Sequence, residues 1–216
     1  MPTSLILRNS QAMIDAIRDA GAKQLILVPG NGFSGAQRWL NWTCSDEALG
    51  CTPNSDVMMQ IVDPVENFAF DMHLYFDNDT SGTHEECTLA APSSLSPVTQ
   101  WLQENNYTAF LSEFGAGSNP TCFETLNNTI TYLETYPQFV GWTYWSAGSL
   151  WGDYFLSVEP DKGTQANSTW PKLLKPHVKS YQPMMRCGIS INAGEDTVAR
   201  KEKGKEGCLG LRLPRR

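Results

Sequence analysis

The sequence is poor in histidine, with three, and poor in positive charge, with 16 Lys and Arg against 23 Asp and Glu and a formal charge of −7. That balance argues against a nucleic acid or an anionic membrane as partner, because both are held mainly by basic side chains. No apolar run approaches the roughly 18 to 20 residues that cross a bilayer, so no membrane-spanning helix is expected. The six cysteines, at 44, 51, 87, 122, 187 and 208, form no Cys-x-x-Cys pair, which argues against a structural zinc site. No Gly-x-Gly-x-x-Gly follows the first strand-like segment, so nothing supports a dinucleotide. Neither metal nor cofactor is expected.

What the chain does have is apolar and aromatic bulk. Its 216 residues are 41% hydrophobic and 18% charged, with seven Trp, seven Tyr and nine Phe, a composition that folds rather than staying disordered. The cysteines read as disulfide formers, and Asn-x-Ser/Thr triplets stand at Asn41, Asn78, Asn106, Asn127 and Asn167. Together these features point to a secreted, extracellular protein. The N-terminus does not supply the signal: Met1 to Arg8 offers three aliphatics and then turns polar, short of the apolar core of about 7–15 residues in a secretory leader. The natural start is therefore expected to lie upstream of Met1.

Helix and strand patterns alternate along the chain. Leu7, Ile14 and Ile17 form one helical stripe between Ser4 and Ala20, and Gly21 stands where a left-handed cap belongs. Leu25 to Val28 is a short aliphatic run stopped by Pro29-Gly30-Asn31-Gly32, the pattern of a buried parallel strand. Phe68, Phe70, Met72 and Leu74 alternate with Ala69, Asp71, His73 and Tyr75 in a second strand. Ser96-Pro97 reads as the start of the next helix, with Val98, Trp101 and Leu102 inward. A third strand, Ala109 to Glu113, is followed by a helix capped at Asn119-Pro120 with Phe123, Leu126, Ile130 and Leu133 on one side, and a fourth runs from Phe139 to Trp145. Trp170 to Leu174 could begin a last helix. Units repeating every 35 to 40 residues predict an α/β fold with a parallel sheet, either open or part of a barrel. The folded region is expected over 1–183. From Cys187 on, seven basic residues face four acids without apolar periodicity, so 184–216 is expected to be a basic, disordered tail.

In a parallel sheet the working side chains stand at the carboxyl ends of the strands. There the sequence places His73 and Tyr75, sharing a face with Asp71; Glu113, assigned to a face with Leu111 and Ala109; and Trp145, with Thr143 and Gly141. A carboxylate, an imidazole, a phenol and an indole round one opening suit sugar chemistry, since indoles stack on pyranose faces and a carboxylate can trap an oxocarbenium-like centre.

Leu27-Val-Pro-Gly-Asn-Gly32, Phe70-Asp-Met-His-Leu-Tyr75, Asp79-Thr-Ser-Gly-Thr-His-Glu-Glu-Cys87, Leu111-Ser-Glu-Phe-Gly115 and Trp145-Ser-Ala-Gly-Ser149 resemble successive stretches of the secreted fungal endo-β-1,4-glucanases of glycoside hydrolase family 5. The resemblance runs from near residue 5 to about 180. It implies a (β/α)8 barrel that cleaves β-1,4-glucan with retention of configuration. By the same resemblance Glu113 is the nucleophile, His73 and Tyr75 hold it and the adjoining sugar, and Trp145 is the aromatic floor. It implies a Cys87–Cys122 disulfide and, by extension, a local Cys44–Cys51 loop.

One departure from the pattern is plain. The family's acid/base glutamate lies in an Asn-Glu-Pro motif at the end of strand four, and no Asn-Glu-Pro occurs in these 216 residues. The four strands would then be barrel strands five to eight, an incomplete TIM barrel with exposed sheet edges prone to self-association. Asp71 lies deeper than His73 and Glu159 sits in a loop; neither is a convincing replacement. The expectation is a truncated glucanase of little or no turnover. The alternatives are a non-catalytic glucan-binding fragment and an interaction protein built on the basic tail.

Overall fold

The computed structural model describes residues 1–42 and 50–178. Their strands form one parallel sheet in the order β1-β2-β3-β4, made of Ile26–Pro29, Phe68–Tyr75, Ala109–Gly115 and Phe139–Trp142. Helix α1 (Thr3–Asp19) precedes β1, a one-turn helix α2 (Asn54–Val57) lies on the way to β2, and α3 (Ala91–Glu104) and α4 (Pro120–Thr135) connect β2 to β3 and β3 to β4. This is the helix-strand alternation that the periodicity predicts.

One face of the sheet is the core face. Phe70, Met72 and Leu74 of β2 and Leu111 and Phe114 of β3 pack with Ile14 of α1, Leu95, Val98 and Leu102 of α3, and Leu126, Ile130 and Leu133 of α4. Each such side chain taken fully from water contributes about 1.5–3 kcal/mol, so this layer holds the sheet ends in place. At its edge Phe70, Trp101 and Tyr107 lie mutually within 5.6 Å, centroid to centroid.

The close of α1 is fixed by Gly21, at φ +82°, whose amide bonds the Arg18 carbonyl at 2.8 Å while Ala22 reaches Ile17 at 3.3 Å. Arg18 then clasps Asp63 with two bonds of 2.7 and 2.8 Å and donates to the carbonyls of Ala22, Gln24 and Asn67. The Arg18 hydrogen bond, opposed by burial and aided by the Val65 and Asn67 amides, holds the Asp63 carboxyl far below the usual carboxylate range. The end of α1 is thereby tied to the lead-in of β2.

Three sequence expectations need correction. Helix α3 begins at Ala91, not at Ser96: Pro92 occupies its first turn, and Pro97 lies inside it. Pro97 loses one ladder bond, and the stripe of Leu95, Val98, Trp101 and Leu102 buried beneath outweighs it. Strand β4 stops at Trp142, so Trp145 stands beyond the strand, although the Thr143 and Trp145 amides still bond the Leu111 and Phe114 carbonyls at 3.0 and 2.9 Å. The Trp170–Leu174 segment is helical where the sequence suggests it, as a single π-helical turn. Glu113 does not share a face with Leu111 and Ala109. The β2–β3 register pairs Met72 with Leu111 but His73 with Glu113, so Ser112 is an extra residue, and beyond it the side chains change sides. Ala109 and Leu111 belong to the core; Glu113 joins Phe110 on the opposite face with Asp71, His73 and Tyr75. The expected domain boundary at 183/184 and the tail lie outside the described residues.

Candidate active site

Three segments meet at the carboxyl end of β2. The chain leaves β1 at Pro29 and returns at Ser34, whose carbonyl accepts the His73 amide at 2.9 Å, so that Gly35 pairs with His73. This return lays residues 32–38 beside the strand end. From the other side the segment after Tyr75 folds over at 77–84, and Arg38 donates to the Asp79 carbonyl at 2.8 Å, joining the two loops across the rim. The Arg38 guanidinium also lies over the Trp42 ring, 5.4 Å from its centroid.

Between them lies a cavity of about 360 Å³ with Glu113, His73 and Tyr75 in its wall. The Tyr75 hydroxyl donates to Glu113 Oε1 at 2.5 Å. His73 Nδ1 stands 3.8 Å from Glu113 Oε2, and its Nε2 stands 3.8 Å from Asp71 Oδ2. Burial of Tyr75, followed by the charge and hydrogen bond of Glu113, pushes the phenol far above its usual range. It therefore remains a hydrogen-bond donor at any working pH, and the carboxylate it serves is held in one orientation. An oriented carboxylate facing an open cavity is what covalent attack on a saturated carbon requires.

The structure thus brings Glu113, His73 and Tyr75 together, and does not place Trp145 in this cavity wall. Trp145 sits past β4, its indole N–H donating to the Tyr154 hydroxyl at 3.2 Å and its ring edge-on to Trp151 at 5.2 Å. Trp151 stacks on Tyr154 at 4.9 Å, which makes an aromatic group of three.

Sequence reasoning missed the cavity's other wall. Phe33 is 90% exposed with φ +56°, on the rim beside Gln37 and Arg38, while Asp79, Thr80 and Ser81 line the opposite lip. The signal was the turn Pro29-Gly30-Asn31-Gly32 at a strand end, which marks a loop free to serve the site but does not show which of its residues does so.

The Cys87–Cys122 disulfide is present, joining the segment after β2 to the first turn of α4. Asn119 caps that helix by accepting the Cys122 amide at 2.9 Å, as its sequence predicts. Cys44, Cys187 and Cys208 lie outside the described residues, and with them the expected Cys44–Cys51 pair. Among the described residues no helix is long and apolar enough to cross a membrane.

Comparison with known proteins places this arrangement. Residues 3–150 match the family described as Cellulase (glycosyl hydrolase family 5). Over 176 residues the chain is 40% identical to Endoglucanase 1 of Robillarda sp. (strain Y-20), an alignment covering 82% of this chain and 42% of that one. It is 35% identical over 167 residues to endo-β-1,4-glucanase B of Aspergillus niger, covering 76% of this chain and 47% of the relative. Among solved structures, the endo-β-1,4-glucanase Xac0029 of Xanthomonas axonopodis pv. citri superposes with a TM-score of 0.71 at 35% identity, over 79% of this chain and 55% of that one. XacCel5A in complex with cellopentaose gives 0.69 at 36% identity, over 74% of this chain and 50% of that one. The chain thus spans less than half the length of the two fungal relatives. A parallel sheet with a carboxylate, phenol and imidazole at its carboxyl end, within a sequence matched over residues 3–150, belongs to the cellulase family, glycosyl hydrolase family 5.

Proposed function

We propose that the chain carries the nucleophile half of a retaining endo-β-1,4-glucanase site, secreted in its parent protein and acting on cellulose or a related β-glucan without metal or cofactor. The observation that carries this reading is Glu113, held by Tyr75 at 2.5 Å beside His73 in the wall of the cavity. Glu113 would attack the anomeric carbon and His73 would face the adjoining sugar. Phe33 and Trp145 would offer ring surfaces to neighbouring glucose units. The names of the relatives, and the cellopentaose held by a structural neighbour, support the substrate class.

Retaining hydrolysis uses a second carboxyl group about 5–5.5 Å from the nucleophile to protonate the leaving oxygen. The sequence holds no Asn-Glu-Pro to supply it, and this favours a second reading, a glucan-binding chain with little turnover of its own. The unpaired edges of β1 and β4 among the described residues make self-association part of the same proposal.

A mechanism-based probe separates these readings. In 2,4-dinitrophenyl 2-deoxy-2-fluoro-β-cellobioside the dinitrophenolate leaves without a proton, so the attacking carboxylate alone suffices to form the glycosyl ester. The expected result is a stoichiometric label on Glu113, absent in Glu113→Gln, together with turnover of unactivated β-glucan lowered by about 10²–10⁴, the usual cost of a missing acid/base. Binding of cellopentaose without any label would favour the binding reading; neither label nor binding would refute both.

A further inference from the structure

The turn after β2 is tightly specified by one buried carboxylate. Asp77 is 3% exposed, and its carboxylate accepts the amides of Gly82, Thr83 and His84 at 3.1, 3.1 and 3.3 Å and the Ser81 hydroxyl at 3.1 Å. His84 Nδ1 stands 3.1 Å from the same carboxylate. Burial works against the charge on Asp77, but these donors hold its carboxyl below the usual range. Its oxygens are thus engaged by its own turn, of which the buried carboxylate is the hub. Arg38 on Asp79 and the Cys87–Cys122 disulfide fix the two flanks.

The product of that hub is the placement of Gly82. A side-chain carbon at Gly82 would stand 2.5 Å from Cδ1 and Cε1 of Tyr75, so the Gly82 backbone lies flat against that phenol ring. On its other side Tyr75 reaches Glu113.

We infer that Gly82, held by Asp77, is a positioning residue that presses the Tyr75 ring into line with Glu113. The inference rests on the nucleophile reading of Glu113 for its consequence, and on geometry alone for the contact. A Cβ at 2.5 Å lies about 1 Å inside ordinary van der Waals contact, and Gly82 stands at φ +70°, where a side chain also strains the backbone, so in an alanine variant the turn and the ring must part by a comparable distance. A displacement of that size in a reacting constellation costs about a hundredfold.

The test uses the whole chain and two readouts. The first is the rate of Glu113 labelling by 2,4-dinitrophenyl 2-deoxy-2-fluoro-β-cellobioside, in which the Glu113 oxygen bonds to C1 as the bond from C1 to dinitrophenolate breaks. The second is the ¹⁹F resonance of 3-fluorotyrosine at position 75, assigned by its loss in Tyr75→Phe. Gly82→Ala is expected to slow labelling by about 10- to 100-fold and to shift the Tyr75 resonance. Asp77→Asn, which adds no bulk at the ring, is expected to move both in the same direction. In the Tyr75→Phe background Gly82→Ala should add no further loss, since no hydroxyl remains to be misplaced; a purely structural role would lower labelling equally in both backgrounds. An unmoved Tyr75 resonance in both variants, or additive losses, would overturn the inference. If the unmodified chain takes no label while the Tyr75 resonance still shifts in Gly82→Ala, the nucleophile reading falls and the contact stands.

Discussion

His73 and Glu113 are register partners across β2 and β3, with His73 Nδ1 3.8 Å from Glu113 Oε2. At that distance the imidazole does not hydrogen-bond the carboxylate but limits where it can turn, while Tyr75 supplies the bond that orients it. His73→Ala is therefore expected to leave Glu113 reactive but less well aligned, with labelling slowed about tenfold. Tyr75→Phe removes a hydrogen bond to a charged group, worth about 1.5–3 kcal/mol, and is expected to slow labelling more. Labelling rates for the two variants, measured side by side, check the order.

The Arg18–Asp63 clasp predicts an acid limb in stability. Asp63 has its carboxyl depressed in the folded chain, so the stability it contributes is present above the unfolded value of about 3.9 and is lost as pH falls from there toward the folded value. Asp63→Asn is expected to lower the melting temperature at pH 7 by several degrees and to flatten the loss between pH 4 and the acid limit. Melting curves across that range decide the matter; parallel pH profiles for the two chains would show that the clasp is not the titrating element.

The Cys87–Cys122 bridge closes a loop of sequence separation 35. In the chain-entropy account such a loop is worth about 4 kcal/mol against the unfolded state. Replacing both cysteines by serine is expected to lower the melting temperature by well over five degrees. Because the bridge flanks the segment that backs Tyr75, the loss should also show as faster amide exchange at Gly82, readable by mass spectrometry of the corresponding peptides.

The aromatic group beyond β4 predicts a split between binding and labelling. Trp145→Ala removes a ring whose N–H donates to Tyr154 at 3.2 Å, and Trp151 then loses one of its two ring neighbours and keeps Tyr154. Affinity for cellopentaose by calorimetry is expected to fall at least tenfold, whereas Tyr154→Phe, which keeps the ring and loses one hydrogen bond, should cost severalfold less.

The five Asn-x-Ser/Thr asparagines, including Asn167, are all exposed. Expression through a eukaryotic secretory route is expected to give a heterogeneous product that an amidase specific for N-linked glycans collapses to a smaller mass, with deamidation marking the sites used.

How much of this was legible follows the strength of local signals. The presence of the four strands and of α1 and α4 was readable because their apolar periods agree with their boundaries: Gly21 ends α1 because the lack of a side chain lets it take φ +82°, and Asn119 starts α4 because its side chain accepts the Cys122 amide. The start of α3 was not, because Ser96-Pro97 carries a genuine cap signature that tertiary burial of Leu95 overrides. His73 and Tyr75 could be placed by alternation alone. Glu113 could be named but its neighbours could not, since nothing in Leu111-Ser112-Glu113 announces an extra residue; the register with β2 creates it. Phe33 and Arg38 were invisible for a related reason: a loop's return to the sheet through Ser34 is a long-range event without a local code.

Ser112 inserts half a period into the strand, and everything downstream inherits the inverted phase. The same seven-residue stretch can thus spend its early positions on hydrophobic cohesion and its late ones on chemistry, without either demand compromising the other. Were Ser112 paired with His73 in regular register instead, the same sequence would turn Glu113 to the side of Leu111 and aim its carboxylate into oil.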